Sequence, residues 1–144
     1  MQAAAEDIVV SNISAVYRAI CVMPDDLTHL LVSNEFTILR RKPGVKMDPY
    51  YLWAILGTPG VIAEWLSEST GVGRHRVGWE MLASQRVPLL PESQQREVGD
   101  RFRAALERVQ QAAELRDQAE NLIADLGLDA EAALERLAAA KPPR

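Results

Sequence analysis

A loop that carries two arginines and a histidine is the part of this sequence best suited to molecular recognition. Arg74, His75 and Arg76 stand between Gly73 and Gly78, so the backbone around them bears little side-chain bulk. A forked guanidinium can donate paired hydrogen bonds to phosphate, or to the O6 and N7 atoms of guanine. These residue types permit contact with nucleic acid, whereas composition alone favours a solvated loop.

A second group of basic residues lies within residues 40–46 and adds to the positive charge of the middle of the chain. Residues 36–90 hold 7 basic and 4 acidic side chains, whereas residues 91–144 hold 8 basic and 11 acidic ones. The formal net charge of the whole chain is −4. A local positive excess permits a phosphate-facing surface, so any contact with DNA is expected in the middle segment. The predicted DNA-contacting residues are Arg40, Arg41, Lys42, Lys46, Arg74, His75 and Arg76.

The sequence contains no set of residues typical of catalysis or metal binding. Residues 48–51, Asp-Pro-Tyr-Tyr, resemble the tetrapeptide with which amino-methyltransferases hold a target base, but they lack its second proline. Asp48 followed by Pro49 predicts the N-cap of a helix instead. Residues 71–76 lack both the last glycine of a dinucleotide fingerprint and the Lys-Ser/Thr of a phosphate-binding loop. The two histidines are isolated, and Cys21 is the only cysteine. We therefore expect no catalytic residue, metal, cofactor or disulfide within the chain.

The elements that must position these residues differ between the beginning and the middle of the chain. Residues 7–13, 15–22 and 31–39 are rich in β-branched residues or alternate apolar with polar ones. This pattern predicts strands of a small mixed or antiparallel sheet. From Asp48 onwards apolar residues recur at helical spacing, and Gly57 separates two short helices that each begin with a proline. The predicted fold class is α+β.

One long helix is predicted over residues 91–126, which contain no proline after the first position. Apolar residues recur there at spacings of four and three, with Arg116 as the polar exception, and this pattern is typical of a coiled-coil seam. An exposed seam of this length needs a partner, so we predict self-association or pairing with another helix. The predicted pairing residues are Val98, Phe102, Ala105, Val109, Ala112, Ala119, Ile123 and Leu126.

Length and composition suit a small domain joined to an extended helix. The chain has 144 residues, of which 48% are hydrophobic, so it can bury a core. We divide it into an α+β part over residues 1–90, a long helix over 91–127, and a short helix with a tail over 128–144. No apolar run reaches the roughly 20 residues of a membrane span, and the start has no basic signal region. We therefore expect a soluble, cytoplasmic protein with no membrane partner.

Five segments, in the same order along the chain, resemble the target recognition domain and spacer helix of type I restriction–modification specificity subunits. The first two are similar to strands of that domain, and the third to its helix that begins Pro-x-Tyr-Leu. The fourth is similar to a glycine loop, and the fifth to the stretch that enters the spacer helix. The segments are residues 7–11, 33–40, 49–56, 71–77 and 87–98. By this resemblance, the α+β part is a partial target recognition domain.

The resemblance implies a role in choosing a DNA target without catalysing a reaction. A specificity subunit reads double-stranded DNA and docks DNA methyltransferase (modification) subunits, and its spacer helices pair with each other. The implied partners are therefore duplex DNA, a methyltransferase subunit and another spacer helix. Two alternatives stay open: the C-terminal target-recognition fragment of an adenine-specific DNA methyltransferase, and a coiled-coil scaffold that does not bind DNA.

Overall fold

The structure is a computed structural model that describes residues 1–24, 30–69, 75–126, 134–136 and 139. The chain forms two compact units, Met1–Arg103 and Ala104–Arg144. The first unit contains the strands, the short helices and the beginning of the long helix. In the described residues, no helix is both long and apolar enough to cross a membrane.

Five short strands form two antiparallel sheets within the described part of the chain. The strands are β1 (Gln2–Ala3), β2 (Ile8–Ser11), β3 (Ile20–Val22), β4 (Leu30–Leu31) and β5 (Phe36–Leu39). The larger sheet has the order β3-β2-β5, and the smaller one pairs β1 with β4. In the larger sheet, Val9 lies opposite Cys21 on one side and opposite Ile38 on the other. β2 is therefore the central strand.

The prediction of one continuous strand over residues 15–22 is wrong. Ala15–Tyr17 form a short 3-10 helix, and only Ile20–Val22 is a strand. The chain has to reverse direction between the antiparallel strands β2 and β3, and an extended segment cannot do so. Arg18 adopts the left-handed conformation, with φ at 63°, within this reversal.

The predicted strand over residues 31–39 is divided in two. Leu30–Leu31 pairs in the smaller sheet and Phe36–Leu39 in the larger one. Between them, the N–H of Phe36 donates a hydrogen bond to the carbonyl of Ser33 at 3.3 Å, which closes a turn. The interruption coincides with the position where the alternation of polar and apolar residues breaks in the sequence.

The described residues contain four α-helices: α1 (Pro49–Leu56), α2 (Pro59–Glu68), α3 (Trp79–Ser84) and α4 (Glu92–Asp125). The predicted cap of α1 is confirmed, since Asp48 Oδ1 accepts hydrogen bonds from the N–H groups of Tyr50 and Tyr51, both at 2.9 Å. The predicted long helix is confirmed as α4. Residues 86–90 form no strand and connect α3 to α4. Most of the predicted short helix and tail over residues 128–144 lies outside the described residues. Residues 71–74 of the glycine loop also lie outside them.

The central strand β2 is buried on both of its faces. Ile8 and Val10 pack in one cluster with residues of the short helices, including Trp65 of α2. Val9 points to the opposite face and packs with Ala3 of the smaller sheet. This double burial explains why residues 8–10 are all apolar rather than alternating. The predicted α+β class is confirmed.

Candidate nucleic-acid interface

Arg40 is fastened to a buried carboxylate. Its Nε donates to Oδ1 of Asp7 at 2.9 Å, and its Nη2 donates to Oδ2 at 2.6 Å. Asp7 is only 2% exposed, and this burial by itself would raise the pKa of the carboxyl group. The hydrogen bonds from Arg40 and from the N–H of Ala4, together with the charge of Arg40, bring the pKa of Asp7 below its ordinary value. Asp7 is therefore ionised at neutral pH, and Arg40 ties the end of β5 to the start of β2.

Arg41 and Lys46 are also paired with carboxylates, whereas Lys42 is not. Arg41 Nη2 lies 3.0 Å from Oε2 of Glu6, and Lys46 Nζ lies 3.0 Å from Oε2 of Glu92. The side chain of Lys42 is exposed and makes no hydrogen bond or ion pair with any residue that the structure describes. Exposed ion pairs contribute about 0–1 kcal/mol, so Arg41 and Lys46 can exchange a carboxylate for a phosphate at small cost.

The arginine loop lies at the opposite end of β5 from these cations. Arg76 forms an ion pair with Glu35, which directly precedes β5, whereas Arg40 directly follows it. At about 3.4 Å per strand residue, roughly 17 Å of strand separates Glu35 from Arg40. The structure thus divides the predicted DNA-contacting residues into two groups. The strand-end group is Arg40, Arg41, Lys42 and Lys46, and the loop group described by the structure is His75 and Arg76.

Within the loop group, the structure gives His75 a definite partner. Its Nδ1 lies 2.6 Å from the hydroxyl oxygen of Ser69, which directly follows α2. The imidazole is therefore held beside the end of that helix, with its Nε2 edge directed away from this hydrogen bond. Arg74, the third predicted member of the loop, lies outside the described residues.

A polar junction that the sequence analysis missed fastens the start of α4 to the α+β part of the first unit. Asp48 is at its centre: its Oδ1 caps α1, and its Oδ2 accepts a hydrogen bond from Nη2 of Arg103 at 2.7 Å. The guanidinium carbon of Arg103 also lies 4.4 Å from the centre of the Tyr50 ring, a cation–π contact. Gly99 permits the close approach, because an added Cβ would lie 2.8 Å from Asp48 Cγ and nearer still to Oδ1.

Gln95 is the second anchor of this junction and is 2% exposed. Its Oε1 accepts a hydrogen bond from the N–H of Asp48 at 3.0 Å, and its Nε2 donates to the Leu90 carbonyl at 2.7 Å. Nearby, the hydroxyl of Tyr51 donates to the Pro88 carbonyl at 2.7 Å. Buried polar groups require such partners, so these bonds fix the connector before α4 as well as the helix itself. We call Asp48, Gln95, Gly99 and Arg103 the junction.

Two features of the sequence could have indicated this junction. Gly99 stands inside a helix, where glycine costs about 1 kcal/mol relative to alanine, and such a glycine suggests that another group approaches closely. Gln95 precedes Val98 and Phe102 by three and seven residues, so it is a polar residue on an apolar helix face. Both residues lie within the helix predicted over residues 91–126, so the sequence alone carried these two signals.

The predicted pairing face of α4 has a covered beginning and an exposed remainder. Val98 is half-buried, and the ring of Phe102 packs edge-on against Trp53 with centroids 5.2 Å apart. These two side chains therefore pack against the first unit and present only part of their surface to a partner helix. Phe102 is nevertheless 38% exposed, and the remaining pairing residues are exposed as well: Ala105, Val109, Ala112, Ala119, Ile123 and Leu126.

Two exposed leucines of α4 belong to an apolar register other than the predicted one. Leu115 and Leu122 are 65% and 62% exposed, and the predicted seam omits both. The predicted seam passes instead through Arg116, which lies 3.5 Å from Glu120 in a surface ion pair. A second set of apolar residues on α4 recurs every three or four positions with no polar residue among them. We call this set the leucine face. Its residues are Ala112, Leu115, Ala119, Leu122 and Leu126.

Comparison with protein-family models, with curated proteins and with solved structures finds no match to this chain. Among the described residues, no three His, Cys, Asp or Glu side chains are grouped so that they could hold a metal ion. A functional proposal therefore has to rest on the two basic groups, the junction and the leucine face.

Proposed function

We propose that this chain is a non-catalytic DNA-recognition module of the restriction-specificity type, acting in the cytoplasm. In this proposal the α+β part binds double-stranded DNA through the strand-end and loop groups. The long helix pairs with another helix through the leucine face and contributes to docking a DNA methyltransferase subunit. The chain itself carries out no reaction.

The observation that carries the proposal is the junction. A spacer helix is useful to a recognition domain only when its first turns are rigidly attached to that domain. Buried Gln95 and the Asp48–Arg103 ion pair supply this attachment in the first unit. Of the junction residues, Gln95 lies in the segment that resembles the entry to the spacer helix. Asp48 directly precedes the segment that resembles the Pro-x-Tyr-Leu helix, and Gly99 directly follows the spacer-entry segment.

The strand-end group supports DNA contact because it combines Lys42, which has no partner among the residues that the structure describes, with two arginines that keep donors available. Arg40 uses Nε and Nη2 for Asp7, and Nη2 also for the Gln2 carbonyl. Arg41 uses Nη2 for Glu6 and Nη1 for the Met47 carbonyl, so each guanidinium keeps some of its five N–H donors. Their side chains remain 59% and 48% exposed. Lys42 stands beside them with its ammonium in solvent. Such a cluster is suited to the DNA backbone, where phosphates recur at short intervals.

The loop group is the better candidate for reading bases. Arg76 is exposed, and its only salt-bridge partner among the described residues is the exposed Glu35. A guanidinium in an exposed ion pair can leave its carboxylate and pair with guanine O6 and N7. Such a contact favours guanine over the wrong base by about 1–3 kcal/mol. The flanking glycines remove bulk that would keep the loop out of a groove.

A selection experiment tests the proposal. The immobilised full chain is incubated with a pool of duplexes that carry a randomised segment, and the bound duplexes are sequenced after several rounds. We expect enrichment of one defined motif, and loss of preference at one base pair in Arg76→Gln. Arg86→Gln removes one exposed positive charge outside both groups and should leave the motif unchanged. An enriched pool that stays random would contradict sequence-specific recognition.

A coiled-coil scaffold that does not bind DNA is the second candidate, and one observation favours it. Four of the predicted DNA-contacting cations, Arg40, Arg41, Lys46 and Arg76, are already paired with carboxylates of the same chain. If the full chain associates through the leucine face but binds no duplex at low ionic strength, the scaffold function replaces the DNA-recognition function.

A further inference from the structure

A cleft of about 470 Å³ lies beside β5 in the first unit. Small-molecule sites in proteins commonly enclose roughly 300–1,000 Å³ and have mostly apolar walls. Ile38 and Leu39 are consecutive residues of β5, and both line the cleft. Because consecutive side chains of a strand point to opposite faces, a cleft bounded by both lies along the edge of the sheet. The remaining apolar lining comes from Ile8, Val45, Met47, Pro49, Leu52 and Trp79.

The apolar lining of this cleft is open to solvent at its mouth. Trp79 is 61% exposed and Val45 is 48% exposed, although both belong to residue types that are normally covered. An apolar body that entered the cleft would remove this surface from water, and the gain in free energy grows with the area removed. The walls therefore select a ligand with an apolar portion.

The charged rim adds a second requirement on the ligand. Arg40, Arg41 and Lys42 all line the cleft. Asp7 and Glu6 balance the two arginines, and Lys42 has no such partner among the described residues. The rim therefore offers the equivalent of one uncompensated positive charge directly beside an apolar cleft. A ligand with a single anionic group matches this charge.

We propose that the cleft binds a small amphipathic anion, in which one carboxylate-class group is attached to an aliphatic or aromatic body. The anionic group lies against Lys42, and the apolar body lies between β5 and Trp79. The cleft is separate from the loop group, but its rim shares Arg40, Arg41 and Lys42 with the strand-end group. Its binding of the anion does not rest on DNA binding.

Two dyes that share one aromatic body, anionic anilinonaphthalene sulfonate and neutral phenylnaphthylamine, test the site on the full chain. We expect saturable one-to-one binding of the anionic dye, with energy transfer that falls in Trp79→Phe. Lys42→Gln should weaken the anionic dye by about two- to fivefold and leave the neutral dye unchanged, because only the anion meets the ammonium. Arg86→Gln removes a charge outside the cleft and should change neither. Octanoate should displace the anionic dye more effectively than octanol.

Two further variants separate the cleft from the other exposed apolar surface. Val45→Trp fills the mouth of the cleft from an exposed position and should abolish the saturable binding of both dyes. The double substitution Leu115→Gln and Leu122→Gln alters the leucine face and should leave dye binding intact. Binding that follows the leucine face, or that persists unchanged in both Lys42→Gln and Val45→Trp, overturns the proposal. Equal displacement by octanol and octanoate also overturns it.

Discussion

Substitution of Gly99 by alanine tests the junction most sharply, because helix propensity and packing predict opposite signs. In an unobstructed helix, alanine stabilises by about 1 kcal/mol relative to glycine. At this position the added Cβ would lie 2.8 Å from Cγ of Asp48 and 3.1 Å from its Oδ2. Asp48 cannot retreat freely, since it caps α1 with Oδ1 and holds Arg103 with Oδ2.

The magnitude follows from what Asp48 would lose on moving. Loss of an N-cap costs about 0.5–2 kcal/mol, and overpacking of a tight site costs about 1–3 kcal/mol. Together these two costs exceed the gain in helix propensity, so Gly99→Ala should lower the free energy of unfolding by about 1–3 kcal/mol. Gly60 is the matched control: it lies in α2 with open space where its Cβ would stand, and Gly60→Ala should raise stability by up to about 1 kcal/mol.

Urea unfolding followed by tryptophan fluorescence measures both variants. A double-mutant cycle identifies the cause, because the penalty of Gly99→Ala should largely disappear when Asp48 is already replaced by alanine. A Gly99→Ala protein that is as stable as the Gly60→Ala protein would refute the close approach of Asp48. So would a penalty that is unchanged in the Asp48→Ala background.

Three other predictions follow from the same contacts. Folding lowers the pKa of Asp7, so the ionised carboxylate stabilises the fold above pH 3.8, its ordinary pKa, and this contribution is lost as pH falls through the folded-state pKa. Asp7→Asn should therefore cost about 2 kcal/mol at neutral pH and make urea unfolding less sensitive to acid. A pH profile of stability that is unaltered in Asp7→Asn would contradict this. Gln95→Leu removes the partners of the part-buried Asp48 N–H and Leu90 carbonyl and should cost about 1–3 kcal/mol. Gln94→Leu, at an exposed position, should change stability by no more than about 0.5 kcal/mol. The double substitution Leu115→Gln and Leu122→Gln should abolish self-association measured by sedimentation velocity. A wild-type chain that sediments as a monomer and binds no methyltransferase subunit would argue against pairing through the leucine face.

Local signals in the sequence predicted the elements that local interactions determine. Asp48 before Pro49 indicates a cap because the cap bonds connect residues two and three positions apart. The long helix is equally local, since it follows from the absence of proline and from a regular apolar spacing. The reversal at Arg18 was not predictable in this way, because its cause is the antiparallel pairing of β2 with β3.

The candidate site depends on contacts between distant residues, and for this reason the sequence described it only in part. Arg40 was predicted from its charge, but 33 residues separate it from the buried Asp7 that holds it. Arg103 reaches Asp48 across 55 residues, and no short pattern connects them. A positive segment in a sequence therefore identifies where cations are, whereas their availability to DNA depends on which carboxylates the fold brings beside them.

The most direct test of DNA recognition is the salt dependence of duplex binding by the full chain, measured by fluorescence anisotropy. We expect log K to fall linearly with log salt, at about 0.9 per phosphate neutralised. Lys42→Gln should reduce that slope by about 0.9, and Arg86→Gln should leave it unchanged. Absence of saturable binding at low ionic strength, or equal slopes in wild type and Lys42→Gln, would contradict the proposed interface.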